Sequence, residues 1–203
     1  MAFPTAEEAT SIGKFIKEVG GNSTWDRLAE YLDKHTLSKN SFVINRCFKA
    51  SIEHLYELWT TPEHIARWLP PVGFEMEYLR ADIQPGGTSF FKLSNDAGVT
   101  MYGRVEYLKL EKPNLIVYSQ QFCDEHENPG RHPLAPTLPS TLLTTIQLVP
   151  ETEEITRITV KFEPVGQLSK EELNSFLEMR SGMTLGWTGS FDKLEEVLGT
   201  SLV

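Results

Sequence analysis

The N-terminal part of the chain carries apolar residues at helical spacing. Thr5 and Glu8 form a capping box, in which each side chain satisfies a free backbone N–H at the start of a helix. Apolar residues three and four positions apart follow at Ile12, Phe15, Ile16 and Val19. A second amphipathic helix is predicted from about Ser23, with these residues on one face: Trp25, Leu28, Ala29 and Leu32. Residues 1–40 are therefore predicted to form a helical extension.

From Phe42 the apolar period changes to two, which indicates a strand. One face of this strand carries Phe42, Ile44, Arg46 and Phe48. Ser51 is placed to cap a short helix, and Thr61-Pro62 begins another that ends at Pro70-Pro71, where proline forbids helix. The two predicted short helices bury these residues: Ile52, Leu55, Tyr56, Leu58, Trp59, Ile65 and Trp68.

Six further strand-like runs follow, separated by turns rich in Gly, Pro, Asn and Asp. The runs are Phe74–Ile83, Thr88–Leu93, Val99–Leu110, Leu115–Phe122, Thr141–Val149 and Ile155–Pro164. Their connections are too short for parallel crossovers, so the pattern predicts an antiparallel meander. A second capping box, Ser169 with Glu172, then begins a long final helix that contains Gly182, Gly186 and Gly189. Each glycine costs about 1 kcal/mol in a helix, which favours a role in leaving space or allowing close approach.

Composition and charge exclude several function classes. The chain has 203 residues, a net charge of −9 and a pI near 5.1, so its overall field repels nucleic acid and anionic lipid surfaces. No apolar run reaches the roughly 20 residues that span a bilayer, and the N-terminus lacks the layout of a secretory signal. Cys47 and Cys123 do not suggest a disulfide framework. We expect a cytoplasmic protein with no nucleic-acid partner and no membrane span.

The spacing of several motifs resembles that of one family. They are Arg46-x-Phe48-x-Ala50, Trp59, Arg67-Trp68, Asp82 with Pro85-Gly86-Gly87, Gly103-x-Val105, Pro113 with Leu115-Ile116-Val117, and Gly186-Trp187. Residues 42–198 thereby resemble the Aha-type (AHSA-type) family, homologues of the C-terminal domain of the activator of a heat-shock chaperone ATPase. This family belongs to the START-like, or SRPBCC, superfamily.

The resemblance implies an α+β helix-grip fold of the START-like and Bet v-like kind. In this fold a curved antiparallel sheet wraps around a long C-terminal helix, and an internal cavity commonly lies between them. We accordingly expect a START-like domain over residues 41–203, preceded by the helical extension over residues 1–40. The Pro-rich loop 129–139 departs from the common family pattern, and it is a candidate lid or a solvated connector.

Metal, cofactor and nucleophile chemistry find little support in the sequence. Cys123-x-x-His126, with His132 nearby, lacks a fourth ligand at zinc-site spacing. Neither cysteine has a local signature of a nucleophile, and Cys47 is expected to pack as a small hydrophobe. We therefore expect no metal site, no cofactor and no catalytic residue.

An aromatic and methionine-rich set of residues is the candidate cavity lining, because small-molecule sites are mostly apolar with a few polar groups. Its members are Arg46, Trp68, Phe74, Met76, Phe90, Met101, Tyr102, Phe122, Met183 and Trp187. Arg46 shares the inward face of its strand and needs a partner, either in a structural ion pair with Asp82 or a glutamate of a neighbouring strand, or in a bound anion.

Three hypotheses on function remain open. The first is binding of a small hydrophobic ligand, such as a lipid or polyketide, in the cavity. The second is a co-chaperone or other protein-interaction module, although residues 1–40 are too short to supply the separate N-terminal domain on which chaperone activation relies. The third is a cyclase or hydrolase using Arg46, Tyr102 or Glu106. A homodimer contact through the N-terminal helices is a further possibility.

Overall fold

A computed structural model describes residues 40–200 of the chain, with the exception of the Thr200 side chain. The predicted N-terminal helices lie outside the described residues, and so does the role assigned to them. The described strands are β1 Phe42–Phe48, β2 Glu75–Arg80, β3 Thr88–Ser94, β4 Thr100–Glu111, β5 Leu115–Cys123, β6 Thr141–Pro150 and β7 Thr156–Pro164. The described helices are α1 Ile52–Leu58, α2 Pro62–Trp68, α3 Lys170–Glu178 and α4 Arg180–Thr200.

All seven strands join one antiparallel sheet in the order β1-β7-β6-β5-β4-β3-β2. Strands β2 to β7 form the meander predicted from their short connections, and β1 pairs with β7 at the far edge. The helices α1 and α2 connect β1 to β2. The α+β helix-grip fold predicted from the sequence is confirmed.

The alternation along each strand decides which face meets the C-terminal helix. Phe42, Ile44 and Phe48 of β1 belong to the buried core, with Val160 and Phe162 opposite them on β7. The ring of Phe48 meets Phe191 of α4 edge to face at 5.3 Å, and Phe162 lies 5.7 Å from Trp187. The concave face of the sheet and the apolar face of α4 thus share one core.

The short helix α2 is docked on α4 through its C-terminal carbonyl groups. A helix leaves its last carbonyls without partners in the helix itself. The Ser190 hydroxyl donates to the Leu69 carbonyl at 2.8 Å, and the Lys193 ammonium donates to the Pro70 carbonyl. Close approach is possible because position 189 is glycine: a Cβ there would lie 3.0 Å from Val72 Cγ2. The Arg67–Pro71 motif is therefore held against the middle of α4.

The C-terminal helical region differs from the prediction in one respect. The capping box of Ser169 and Glu172 is present in full, but the helix that it begins, α3, ends at Glu178. Met179 separates α3 from the 21-residue helix α4. Met179 and Arg180 are both good helix formers, so propensity gives no signal of a break at this point.

Candidate functional site

A cleft lies on the concave face of the sheet, under the helices and the loop that cover this face, and it consists of three adjoining chambers. The tyrosine chamber, of about 110 Å³, is lined by Trp59, Ile65, Leu69, Pro70, Pro71, Met76, Tyr78, Phe91, Leu93, Val105, Tyr107, Tyr118 and Gln120. The helix chamber, of about 280 Å³, is lined by Leu69, Pro71, Tyr118, Gln120, Phe122, His132, Leu138, Leu142, Phe162, Met179, Met183, Gly186, Trp187 and Ser190. The loop chamber, of about 30 Å³, is lined by Phe91, Gly103, Gln120, Gln121, Phe122, Leu138, Pro139, Ser140, Leu142 and Phe176.

Shared walls make the three chambers one site. Tyr118 and Gln120 of β5 line both the tyrosine and the helix chambers, and Gln120 lines the loop chamber as well. These two side chains point to the same face because they lie two positions apart on one strand. Gln120 therefore borders all three chambers, and a molecule bound in any of them would lie next to its side chain.

Glycines on the helix and on the sheet shape the cleft in opposite ways. A Cβ built at Gly186, which lines the helix chamber, meets nothing within 4 Å, so this glycine leaves open space. At Gly103 a Cβ would lie 2.2 Å from Phe91 Cζ, because the Phe91 ring lies directly over the glycine. Phe91 lines both the tyrosine and loop chambers, and its ring is the partition between them.

Three indole rings in contact build the side of the cleft next to α1 and α4. Trp59 lies between Trp68, at 4.5 Å, and Trp187, at 5.9 Å and nearly parallel. The indole of Trp68 is fully buried and donates from Nε1 to the Leu58 carbonyl at 3.0 Å. Trp68 therefore supports the cleft from behind, whereas Trp59 and Trp187 line it.

The Pro-rich loop 129–139 forms one side of the helix chamber. His132 packs its ring on Phe122 at 4.5 Å, and Leu138 is buried in the core. Arg131 Nη1 donates to the Leu138 carbonyl at 3.0 Å and pairs with Glu172 of α3 at 2.7 Å. These contacts fix the loop in place over the cleft; its action as a lid stays a prediction.

The electrostatics of the cleft are those of a neutral site. No Asp, Glu, Lys or Arg occurs among the described residues that line the three chambers. Burial lowers the pKa of His132, which favours its uncharged form. Burial also raises the pKa of Tyr78, Tyr107 and Tyr118, so all three phenols keep their protons.

The structure brings four of the predicted cavity residues to the cleft. Met76 lines the tyrosine chamber, and Phe122, Met183 and Trp187 line the helix chamber. Met101 is buried on the concave face opposite Leu93 without lining a chamber. Phe74 lies instead in the turn before β2, beside Asn95 and Asp96.

The other predicted residues lie away from the cleft. Phe90 and Tyr102 stack on each other at 5.8 Å on the convex face, which Glu106 shares. Arg46 is on the concave face as its spacing predicts, but its Nη1 pairs with Asp192 of α4 at 2.6 Å rather than with Asp82. Its guanidinium also lies over the Phe191 ring at 5.4 Å. Arg46, Tyr102 and Glu106 therefore do not meet in one catalytic site.

Several lining residues are not among the predicted cavity residues. They are Trp59, Tyr78, Phe91, Tyr107, Tyr118 and Gln120. The period of two along the strands could have identified the strand residues as inward-facing. Gly103, Val105 and Tyr107 share one face of β4, and Tyr118, Gln120 and Phe122 share one face of β5. A consistent choice of inward face across the six strands of the meander would have selected the five strand residues among them; Trp59 lies instead at the end of α1.

Within residues 40–200 no group of three or more His, Cys, Asp or Glu side chains is placed to hold a metal ion. Burial, together with the negative charges of Glu127 and Asp124, raises the pKa of the Cys123 thiol. His126 is exposed and faces Glu125. In the same part of the chain no helix is long and apolar enough to cross a membrane.

Comparisons with solved structures place the fold among bacterial proteins. A protein from Arthrobacter aurescens is 24% identical, with a TM-score of 0.67 over 79% of this chain and 87% of that one. A protein from Mycobacterium smegmatis is 21% identical, with a TM-score of 0.66 over 81% and 94% of the two chains. An AHSA1 protein from Silicibacter pomeroyi is 16% identical, with a TM-score of 0.61 over 79% and 99%. At these identities the likeness shows the fold alone.

The sequence itself matches a family model. No protein of curated function matches the chain. The model for activator of Hsp90 ATPase homolog 1-like proteins matches residues 49–199, which include the helices α1 to α4 and the strands that line the cleft. The chain therefore belongs to the family of activator of Hsp90 ATPase homolog 1-like proteins.

Proposed function

We propose that the protein binds a small apolar molecule in the cleft between the sheet and helix α4. The observation that carries this proposal is that three adjoining chambers share Gln120 and are lined mostly by aromatic, aliphatic and methionine side chains. Small-molecule sites are typically concave and largely apolar, with a few polar groups. Membership of a START-like family supports a ligand-binding domain in general.

Open space beside a helix glycine supports the same proposal. Gly186 lies in the middle of α4, where glycine is unfavourable by about 1 kcal/mol relative to alanine. No atom within 4 Å fills the position that a side chain would take. Gly186 is exposed, so this space is the open mouth of the helix chamber, where a bound molecule would lie against the helix backbone.

Native mass spectrometry of the freshly purified protein, followed by denaturing extraction, tests the proposal without a guess about the ligand. We expect a reproducible adduct that is released on denaturation. A panel of lipids and polyketides added to the purified protein should give at least one upward shift of the melting temperature. A ligand at a hundred times its Kd adds about 2.7 kcal/mol to the free energy of unfolding.

A matched pair of glycine variants locates the site. Both Gly186→Leu and Gly182→Leu place leucine in open space on α4, but only position 186 lines the helix chamber. Both changes should stabilise the helix by a similar amount, up to about 1 kcal/mol. Only Gly186→Leu should weaken binding of the ligand identified in the panel. Equal binding by both variants, or no adduct and no melting shift in the wild type, would count against the cleft as the site.

A further inference from the structure

Three phenol hydroxyl groups meet at one wall of the tyrosine chamber. Tyr107 of β4 and Tyr118 of β5 are partners in the strand register, and their rings lie edge to face at 6.0 Å. Tyr78 of β2 reaches the same wall, where its hydroxyl lies beside that of Tyr107. Three phenols are thereby concentrated at one end of a largely apolar cleft.

Each of two groups of adjoining hydroxyls has one proton more than it has hydroxyl–hydroxyl contacts. Ser89 Oγ accepts from the Asp82 backbone N–H at 3.2 Å, and its own hydroxyl lies beside that of Tyr107. Ser89 and Tyr78 adjoin the Tyr107 hydroxyl, and Thr144 adjoins the Tyr118 hydroxyl. Three protons therefore share two contacts in the first group, and two protons share one contact in the second. Among residues 40–200 no carboxylate or carbonyl group accepts from Tyr107 or Tyr118.

Two further polar atoms around the chamber are buried and lack a hydrogen bond. Trp59 lines the chamber, is only 5% exposed, and has no partner for its Nε1 proton within the described part of the chain. Thr144 Oγ1 is likewise buried without a hydrogen bond of ordinary geometry, although the Tyr118 hydroxyl lies beside it. Buried donors without partners are costly, and in a binding cleft a ligand oxygen relieves that cost.

The wall carries donors but no positive charge. A carboxylate or phosphate entering the chamber would lose its hydration and find no Lys or Arg among the described lining residues. An uncharged acceptor, such as a carbonyl oxygen, loses far less hydration and takes the same hydrogen bonds. The chemistry of the wall therefore selects a neutral acceptor over both an anion and a pure hydrocarbon.

We infer that the ligand is an uncharged molecule with an apolar body and a carbonyl-type oxygen, of the ketone, ester or amide class, which the Tyr107 and Tyr118 hydroxyls bind. This inference rests on the proposed function, because it names the ligand class of the same cleft. The apolar body lies along Val105, Phe91 and Met76, on strands β4, β3 and β2 of the tyrosine chamber.

Three probes that share one ring system test the inference. They are 2-acetylnaphthalene, 2-ethylnaphthalene and 2-naphthoate, which carry a neutral acceptor, no acceptor and an anion on the same apolar body. Binding is measured by isothermal titration calorimetry at neutral pH. We expect 2-acetylnaphthalene to bind about tenfold more tightly than either of the others, which corresponds to about 1.4 kcal/mol, the size of one net hydrogen bond.

Conservative variants show whether the phenols cause the preference. Tyr107→Phe combined with Tyr118→Phe removes both hydroxyls and keeps both rings. This double variant should lose the preference for 2-acetylnaphthalene over 2-ethylnaphthalene while binding 2-ethylnaphthalene as the wild type does. Tyr102→Phe is the control, because that phenol lies on the convex face; it should keep the preference.

Each other outcome overturns the inference. Equal binding of the three probes, tightest binding of 2-naphthoate, or an unchanged preference in the double variant would remove the assigned role of the phenols and leave the proposed function standing. Loss of the preference in Tyr102→Phe would show that the effect does not come from this wall. Failure of all three probes to bind would overturn the inference, whereas the proposed function is decided separately by the native adduct and the ligand panel.

Discussion

At the scale of single residues, the contact between Gly103 and Phe91 shows why one position accepts only glycine. The Phe91 ring covers the backbone of β4 at Gly103, where any side chain would need the same space. Phe91 and Gly103 are partners in the strand register, so the Phe91 ring lies flat on the backbone of the neighbouring strand and gains apolar contact with the sheet. Glycine is needed here for close approach and not for an unusual backbone conformation.

The change Gly103→Ala should destabilise the protein by about 1–3 kcal/mol, because the Phe91 ring has to leave a well-packed position. The measurement is urea denaturation followed by tryptophan fluorescence. Gly182→Ala is the matched control, since its Cβ meets nothing within 4 Å and should stabilise α4 by up to about 1 kcal/mol. Equal effects of the two changes would contradict the role given to the Phe91 contact.

The sequence indicates which way a single side chain points better than it indicates which residue that side chain contacts. Alternation along β1 predicts that Arg46 faces inward, and it does so. Its partner Asp192 is 146 positions away along the chain, and no local pattern connects them. The same limit applies to Tyr78, Tyr107 and Tyr118, since each looks like an ordinary strand aromatic until the sheet order brings them to one wall.

At the scale of elements, local signals locate most helices and strands. The predicted strands agree with β1 to β7 to within three residues at each end, because turn residues and the period of two mark both ends. The Ser51 and Ser169 caps also lie where the sequence places them. The course of loop 129–139 was not predictable, since it depends on the distant contact between Arg131 and Glu172.

The docking of this loop should weaken in mild acid. Burial depresses the pKa of His132 below its ordinary value of 6.5, so a released loop binds a proton more readily than the docked loop. The contribution of His132 to docking is thus complete above pH 6.5 and is lost as the pH falls below that value. Hydrogen exchange of the backbone amides of residues 131–138, corrected for intrinsic rates, should increase between neutral pH and mild acid.

A ring without a titratable group provides the control for this pH dependence. His132→Phe keeps an aromatic contact with Phe122 and should remove the response to acid. Glu172 does not interfere, because hydrogen bonds from Ser169 and Arg131 lower its pKa to about 2 and keep it ionised through this range. The same acid response in His132→Phe would mean that another group controls the loop.

At the scale of the whole molecule, the helix-grip fold joins distant parts of the chain around one core. The first described strand, β1, pairs with the last, β7, and both meet α4 through Phe48 and Phe162. The overall architecture could be predicted because the order of elements and the spaced motifs resemble a known family. The outline of the cleft could not, because it depends on which side chains the fold brings together.

Deletion of residues 1–40 should lower the stability of the protein. Amphipathic helices this short need tertiary contacts to persist, so the extension is predicted to dock on the outer or edge surface of the domain or in a homodimer contact. The measurements are the melting temperature and the molecular mass in solution of the full and shortened chains. Unchanged values for both would show that the extension is dispensable for folding and assembly.

The position of one aromatic ring limits the size of molecule that the protein can accept. Phe91 stands between the tyrosine chamber and the loop chamber and is held there by its contact with Gly103. Related proteins with the same sheet and helix could therefore differ in ligand length through this side chain alone. Selectivity for ligand length in such a fold can change when the one side chain between two chambers is substituted, while the strands, the helices and the hydrogen bonds between them stay as they are.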